Sequence, residues 1–439
     1  MKGMITEMYE INDLLHRLES GAFDSTFQKL YAKEETAVLR QRARYAEAVR
    51  AFAALYGSER QVSLYSAPGR TEIGGNHTDH NNGVVMAAAV NLDVIAVVSQ
   101  NSENCIRVKS YGFESQDIVD LTLLTPVPKE AGRSASLLRG VAAGIVNAGG
   151  KIGGFDAYTT SDVLRGSGLS SSAAFEVLLG TILNGEYNNF AFSAVQIAQI
   201  SQYAENVFFE KPSGLMDQTA SSVGSAITID FKNPASPVVN EVAFDLAKHG
   251  FALCITDTKG SHADLTDEYA AIRSEMESVA AKFGKTVLRE VDESAFFDKL
   301  PALRGTVSDR ALLRAIHFFA DCKRAAALAE AVREDRFADF LALIIEGGHS
   351  SFEYNQNVYS IKNPAEQGMA LGCALSQRVL SGKGAWRLQG GGFAGTIQAF
   401  VPQESVHEYV AALEGVFGEG ACYVLSVRNY GAVRVTQSL

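Results

Sequence analysis

Cysteine, proline and tryptophan are scarce in this 439-residue sequence, with five, nine and one respectively. The cysteines (Cys105, Cys254, Cys322, Cys373, Cys422) are odd in number, widely spaced and without a Cys-x-x-Cys pair. A disulfide scaffold is excluded, and reduced thiols in a cytoplasm are expected. Long apolar runs are also missing. Stretches such as Val84 to Val90 and Phe340 to Ile345 fall far short of the about 18 residues that span a bilayer. The N-terminus carries acids and polar residues where a signal peptide needs an apolar stretch, so neither export nor membrane insertion is expected. Positive charge is in deficit too. Lys and Arg number 39 against 50 Asp and Glu, a net −11, with no basic block to bind nucleic acid. An anionic ligand must therefore be held by local donors.

What remains is the composition of an ordinary globular chain, 47% hydrophobic and 20% charged. At roughly 100–200 residues per domain the length suggests two to four domains, with two large ones the economical choice. Residues 1–60 read as a helical extension, a cap or arm. From Gln61 strand and loop alternate: VSLYSA is a strand, PGR a turn, and a Gly- and Asn-rich loop leads to a β-branched strand around Val90 to Val98. A Ser-rich loop opens into the helix-like run AAFEVLLGTIL, with one of its serines as N-cap. Another helix is expected from about Ser193 to Phe209. A boundary near 245 divides an N-terminal domain, 61–245, from a C-terminal one, 246–439. The latter begins with the strand FALCITDT and continues in helices from about Thr266 to Phe283 and Asp309 to Ile345.

Three loops concentrate chemistry. In RGSGLSSS the glycines Gly166 and Gly168 let backbone approach a ligand, and the following helix start offers N–H groups to an anion. Phosphate binding and a plain Ser-capped helix fit this segment equally, and a Walker A loop is ruled out because no Gly-Lys-Ser/Thr follows. The loop after Gln61 packs Arg70, Glu72, Asn76, His77, Asp79 and His80 into eleven positions. It reads as a solvated turn, as a sugar-binding loop whose carboxylates and amides take paired hydroxyls, or as a zinc site, though a tetrahedral zinc site wants ligands more widely separated. Gly390 to Gly395 is a glycine run that enters a strand, and Met216-Asp217-Gln218 is a polar triplet after a turn.

In order and spacing these segments resemble the galactokinases of the GHMP small-molecule kinase family. Gly69-Arg70 and Gly74-Gly75-Asn76-His77-Thr78-Asp79-His80-Asn81 are similar to that family's sugar-binding motif, Gly-Arg followed by Ile-Gly-Glu-His-Thr-Asp-Tyr-Asn. Gly168 to Ala174 carries its ATP loop, Gly-Leu-Ser-Ser-Ser-Ala-Ala, unaltered; Gly214 to Gln218 resembles Gly-Ile-Met-Asp-Gln, and Gly390 to Gly395 its third glycine motif. A weaker likeness covers Thr256 to Arg273. The resemblance implies an α+β, two-domain GHMP kinase fold with mixed sheets and its active site in the interdomain cleft, in a monomer or weak homo-oligomer.

It further implies transfer of a phosphoryl group from MgATP to the anomeric hydroxyl of a small sugar, galactose first. By that analogy Asp217 and Arg70 are catalytic. Asn76, His77, Asp79, Gly214 and Tyr269 meet the sugar; Gly166, Ser167, Gly168, Leu169, Ser170, Ser171 and Ser172 hold ATP; Ser172 and Glu205 hold Mg²⁺. The departures gather in the sugar loop: Asn76 stands for the family Glu, Glu72 for Asn, His80 for Tyr and Gly74 for Ile, while Asn206 and Ser213 stand for His and Cys. A 1-kinase for N-acetylgalactosamine, L-arabinose or a uronic acid is the alternative. Catalytically silent sugar sensors also resemble this chain, but they lack a Ser-Ala pair in the serine loop, which is present here as Ser172-Ala173-Ala174.

Overall fold

A computed structural model describes residues 8–31, 34–163, 169–211, 213–260 and 265–437. Strand β1 (Tyr9–Glu10) precedes helices α1 (Ile11–Glu19), α2 (Asp24–Leu30) and α3 (Glu35–Tyr56). Leu14, Leu18, Phe27, Tyr45, Val49 and Phe52 of these helices form one buried cluster with Leu64, Ile95 and Val97. The N-terminal helices therefore cap a sheet face. A buried ion pair, Arg44 to Asp93 at 2.7 Å, pins them to it.

The first sheet is built on two long antiparallel strands, β2 (Gln61–Gly74) and β3 (Val84–Gln100). Where a turn was expected at Pro68-Gly69-Arg70, β2 runs straight through, with its register shifted between Pro68 and Arg70. A bulge accommodates the proline, whose missing N–H a regular ladder would need. β4 (Cys105–Ser110), β5 (Asp117–Asp120), α4 (Ser134–Asn147), β6 (Phe155–Ser161), α5 (Ser171–Asn188) and α6 (Ala194–Tyr203) follow. The chain passes from α6 into a π-helical turn, Ala204–Phe208, so the regular helix ends six residues before the expected Phe209. Helix α7 (Met216–Val223) leads to β7 (Ala226–Asp230) and β8 (Val238–Val242). β3 is shared: its first half pairs with β7 and its second with β6, and β4 runs parallel to β6. The sheet is thus mixed.

The second half comprises β9 (Phe251–Asp257), α8 (Thr266–Ala281), α9 (Glu293–Leu303), α10 (Asp309–Arg333), α11 (Phe337–Ser350), α12 (Gly368–Leu380), β10 (Ala385–Gln389), β11 (Thr396–Pro402), α13 (Val406–Phe417) and β12 (Cys422–Leu425). The single helix expected from Asp309 to Ile345 is two, because Asp335 takes a left-handed φ of 60° that breaks it. A four-stranded antiparallel sheet has the order β10-β11-β9-β12. The last strand, β13 (Val433–Arg434), returns to pair with β2. One core cluster joins the halves, with Leu253, Ile255, Phe340 and Phe400 packed among residues of the first sheet. All five cysteines are unpaired, and no helix among the described residues is long and apolar enough to cross a membrane.

Candidate active site

The bulge in β2 aims Arg70 at the first turn of α7. Its Nε and Nη2 donate to the two oxygens of Asp217 at 2.6 and 2.7 Å, a planar fork on a carboxylate. Ser170 Oγ donates to the same carboxylate. Ser170 sits at the N-cap of α5 with a left-handed φ of 56°, yet its hydroxyl does not cap the helix. Among the described residues no side chain caps the first N–H groups of α5, which makes this helix start a receptor for negative charge. Burial alone would lift the Asp217 carboxyl; Arg70, Ser170 and Lys211 overcome it and hold the group below the usual carboxylate range. Asp217 is therefore ionised at neutral pH.

Asp79 lies beside this pair. A Cβ on Gly214 would come within 1.8 Å of Asp79 Oδ2, so only glycine lets the turn before α7 approach that carboxylate. Oδ1 accepts from the backbone N–H of His80 at 2.9 Å, the N–H of Asp79 itself also supports the carboxylate, and no side chain among the described residues donates to Oδ2. Burial and the nearby charge of Asp217 push the Asp79 carboxyl up to about 6. The turn itself is closed by Asn206, which accepts from Ser213 N at 2.7 Å.

His77 joins the Asn- and His-rich loop after β2 to the third glycine motif, with Nε2 2.8 Å from the Gly391 carbonyl. A carbonyl only accepts, so Nε2 carries the proton and Nδ1 accepts from His80 Nε2 at 3.3 Å. His80 Nδ1 in turn accepts from Asn81 Nδ2 at 3.1 Å. This chain requires both rings neutral. Burial agrees, pulling His77 down to about 4 and His80 well below the usual imidazole range. Tyr269 donates to the Gly392 carbonyl at 2.9 Å and meets Phe393 edge to face, bracing the same motif.

Asn76 is placed differently from the expectation. It is fully buried, and its Nδ2 donates to Glu72 Oε1 at 2.9 Å and to the Gly390 carbonyl at 2.8 Å. Its Oδ1 accepts from Asn357 Nδ2 at 2.8 Å and, more loosely, from Ser351 and Asn355. Every hydrogen-bonding site of the amide is used by protein, which leaves none for a sugar hydroxyl. Glu72 also meets Arg387 at 3.2 Å, and burial pushes its carboxyl up to about 7.

Of the serine loop, Leu169 to Ser172 are described; Gly166, Ser167 and Gly168 lie outside the described residues. The Leu169 carbonyl accepts from Arg70 N at 3.1 Å, tying the loop to β2. Ser172 Oγ lies 3.3 Å from Glu205 Oε1. Glu205 also accepts from Lys211 Nζ at 2.6 Å and from Gln218 Nε2 at 2.8 Å. Gln218 follows Asp217 in sequence and reaches the second buried acid here, Glu176, at 3.2 Å. No group of three or more His, Cys, Asp or Glu among the described residues could by itself hold a metal ion. A cavity of about 380 Å³ lies elsewhere, lined by Thr258, Lys259, Met369 and Phe393, and none of Arg70, Asp79 or Asp217 borders it.

Several residues of the site escaped the sequence reading. Lys211, His317, Asp321 and Arg387 belong to no loop motif. The one available signal was polarity in the wrong place: His317 and Asp321 stand one turn apart on a buried helix face that also carries Arg314 and Arg324 among Ala, Leu and Phe.

Comparison with known proteins agrees with this geometry. Residues 50–100 match the model of the galactokinase galactose-binding signature, and residues 136–225 that of the GHMP kinases N-terminal domain. The chain is 31% identical over 369 residues to a galactokinase of Streptomyces coelicolor, covering 83% of this chain and 91% of that protein. It is 30% identical over 395 residues to human galactokinase, covering 88% and 95%. In fold it is similar to Lactococcus lactis galactokinase complexed with galactose, with a TM-score of 0.77, 21% identity and 89% of this chain covered. The mevalonate kinase of Methanococcus jannaschii has the same fold more distantly, with a TM-score of 0.59. A described site built on the Arg70–Asp217 pair, two matched family models and relatives of this identity over most of the length place the chain in the galactokinase family of the GHMP kinases.

Proposed function

We propose that this protein transfers the γ-phosphoryl group of ATP to the anomeric hydroxyl of galactose, giving galactose 1-phosphate, with Asp217 and Arg70 as its catalytic residues. The observation that carries the reading is the ionised Asp217 carboxylate, gripped by the Arg70 fork and Ser170 beside the open oxygen of Asp79. Phosphoryl transfer passes through a loose transition state and needs alignment and charge neutralisation more than covalent help. A carboxylate held below its usual range is a weak base. Asp217 accordingly orients the sugar hydroxyl as an acceptor and takes its proton late, as the bond to phosphorus forms. Arg70 remains charged throughout and offsets charge on the migrating group.

The sugar is held by Asp79, whose Oδ2 accepts from a ring hydroxyl, by the Gly214 backbone, and by His77 and Tyr269 through the third glycine motif. Asn76 supports the loop from within. ATP phosphates rest on the start of α5 and on Gly166 to Ser172. Ser172 and Glu205 would hold Mg²⁺, and the donor set fits: both offer hard oxygens, and an ammonium already lies on Glu205 as a cation would. Two protein oxygens suit an ion that keeps water and phosphate ligands. When bound, the metal supplies charge neutralisation at the ATP phosphates.

The test is a panel of sugars with MgATP, read as sugar-dependent ADP release. Galactose is expected to give the highest kcat/KM; a higher value for N-acetylgalactosamine, L-arabinose or a uronic acid would reassign the substrate.

A further inference from the structure

We propose that His317 and Asp321 of α10 are positioning residues for the sugar, gripping the sugar loop by its backbone so that the second half of the chain sets sugar affinity. The inference rests on the reading of that loop given above. The peptide of Asn76 is held at both of its polar ends. Its N–H donates to Asp321 Oδ2 at 2.6 Å, and its carbonyl accepts from His317 Nε2 at 2.8 Å. The two side chains are four residues apart and share one helix face.

Each member of the clamp is fixed from behind. His317 Nδ1 lies 2.8 Å from Ser350 Oγ on α11, so one arrangement satisfies all three groups: Ser350 donates to Nδ1, and the Nε2 proton points at the Asn76 carbonyl. Burial lowers the His317 pKa and keeps the ring neutral in that tautomer. The other oxygen of Asp321 accepts from Arg324, which also reaches Glu346 at 2.8 Å. Arg387 of β10 holds the loop one step earlier, donating to the Ile73 carbonyl at 2.8 Å and to Glu72 at 3.2 Å. The helix lies directly on the loop: a Cβ on Gly74 would come within 2.5 Å of Leu328 Cδ1.

His317, Asp321 and the Asn76 peptide are all sealed from water. Losing one partner leaves a buried N–H or C=O unpaired, and the segment moves to regain one. His77 adjoins the clamped peptide and Asp79 follows two residues later, so the displacement reaches the groups read as meeting the sugar. A misplacement of about 1 Å can cost on the order of a hundredfold. Among the described residues neither His317 nor Asp321 bonds to the serine loop, so ATP affinity should be spared.

The test uses the full chain with Asp321→Leu, His317→Leu, His317→Gln and, in parallel, Asp79→Asn. Asp321→Leu and His317→Leu are expected to raise the KM for galactose by at least about tenfold, with ATP affinity in an equilibrium titration within about twofold. His317→Gln, whose amide can donate to the same carbonyl, should recover most of the loss. Equal losses for both substrates, or an unchanged galactose KM in a folded variant, would overturn the proposal. Should the variants not fold, amide exchange in the wild-type protein decides: the Asn76 N–H is expected to exchange as slowly as the core of β3, and exchange at the rate of an exposed loop amide contradicts the clamp. Asp79→Asn separates the two readings. If it leaves galactose affinity intact the loop is not the sugar site; if it weakens affinity while the α10 variants do not, the clamp alone is wrong.

Discussion

Arg70 and Asp217, 147 residues apart in sequence, meet in a two-bond fork of 2.6 and 2.7 Å that joins a strand bulge to a helix start. The fork fixes the plane and the charge of the carboxylate at once, which a single point charge cannot do. Replacing it with lysine is therefore not conservative. Arg70→Lys should lower kcat by at least about tenfold while the KM for ATP changes less, as steady-state kinetics with saturating sugar would show. A kcat close to wild type would mean that the fork does not align Asp217.

Asp217→Asn keeps shape and removes charge. Turnover is expected to fall by at least about a hundredfold, the low end for a positioned acid or base. Thermal unfolding and nucleotide titration should show a folded protein that still binds ATP. Turnover within a fewfold of wild type removes Asp217 from the mechanism.

The acid side of the pH profile should belong to Asp79. Its carboxyl is raised to about 6, so the charged acceptor is present above that pH and lost as pH falls through it. Asp217 is depressed and remains ionised over the same window. kcat/KM for the sugar is thus expected to decline below about pH 6, and Asp79→Asn to abolish that limb while lowering the plateau. The stability effect has the opposite sense. A group whose folded pKa exceeds its unfolded value loses stability as pH rises through that interval, so Asp79→Asn should not lower Tm at pH 7 to 8. An acid limb that persists unchanged in Asp79→Asn assigns it to another group.

Glu72 and Asn76 exchange the residue types that the family motif carries at these two positions, and here they bond to each other at 2.9 Å. Asn76→Glu alone sets two carboxylates together in a sealed site. A loss of roughly 2–4 kcal/mol is expected, by the cost of an unpaired buried charge. The double change Glu72→Asn with Asn76→Glu should recover at least half of it. Chemical denaturation of the four proteins measures the coupling, and additive losses would show that the two positions act independently.

The loops were legible because their chemistry is local. GLSSSAA, the Asn- and His-rich loop and the Met-Asp-Gln triplet each read as polar segments from composition alone, and their shared order identified the family. Secondary structure was read well where the period was clear, as in α8 and β9. It failed where tertiary contacts override local signals: Pro68 and Gly69 stay in a strand because a bulge absorbs them, and α6 unwinds into a π-turn at Ala204–Phe208 that carries Glu205. The α10 clamp was beyond reach, since its partners are 245 and 241 positions apart and its target is backbone rather than a side chain. For the same reason Asn76 looked like a sugar ligand: its neighbours Asn355, Asn357 and Gly390 arrive from the far end of the chain.

The position of the phosphate in the product tests the central claim most directly. Incubation with MgATP and galactose, followed by phosphorus and carbon NMR of the product, should show phosphorus coupled to the anomeric carbon and formation of galactose 1-phosphate in step with ADP. Phosphate on any other carbon, or ADP release without a phosphorylated sugar, would contradict the assignment of Asp217 and Arg70 to transfer at the anomeric hydroxyl.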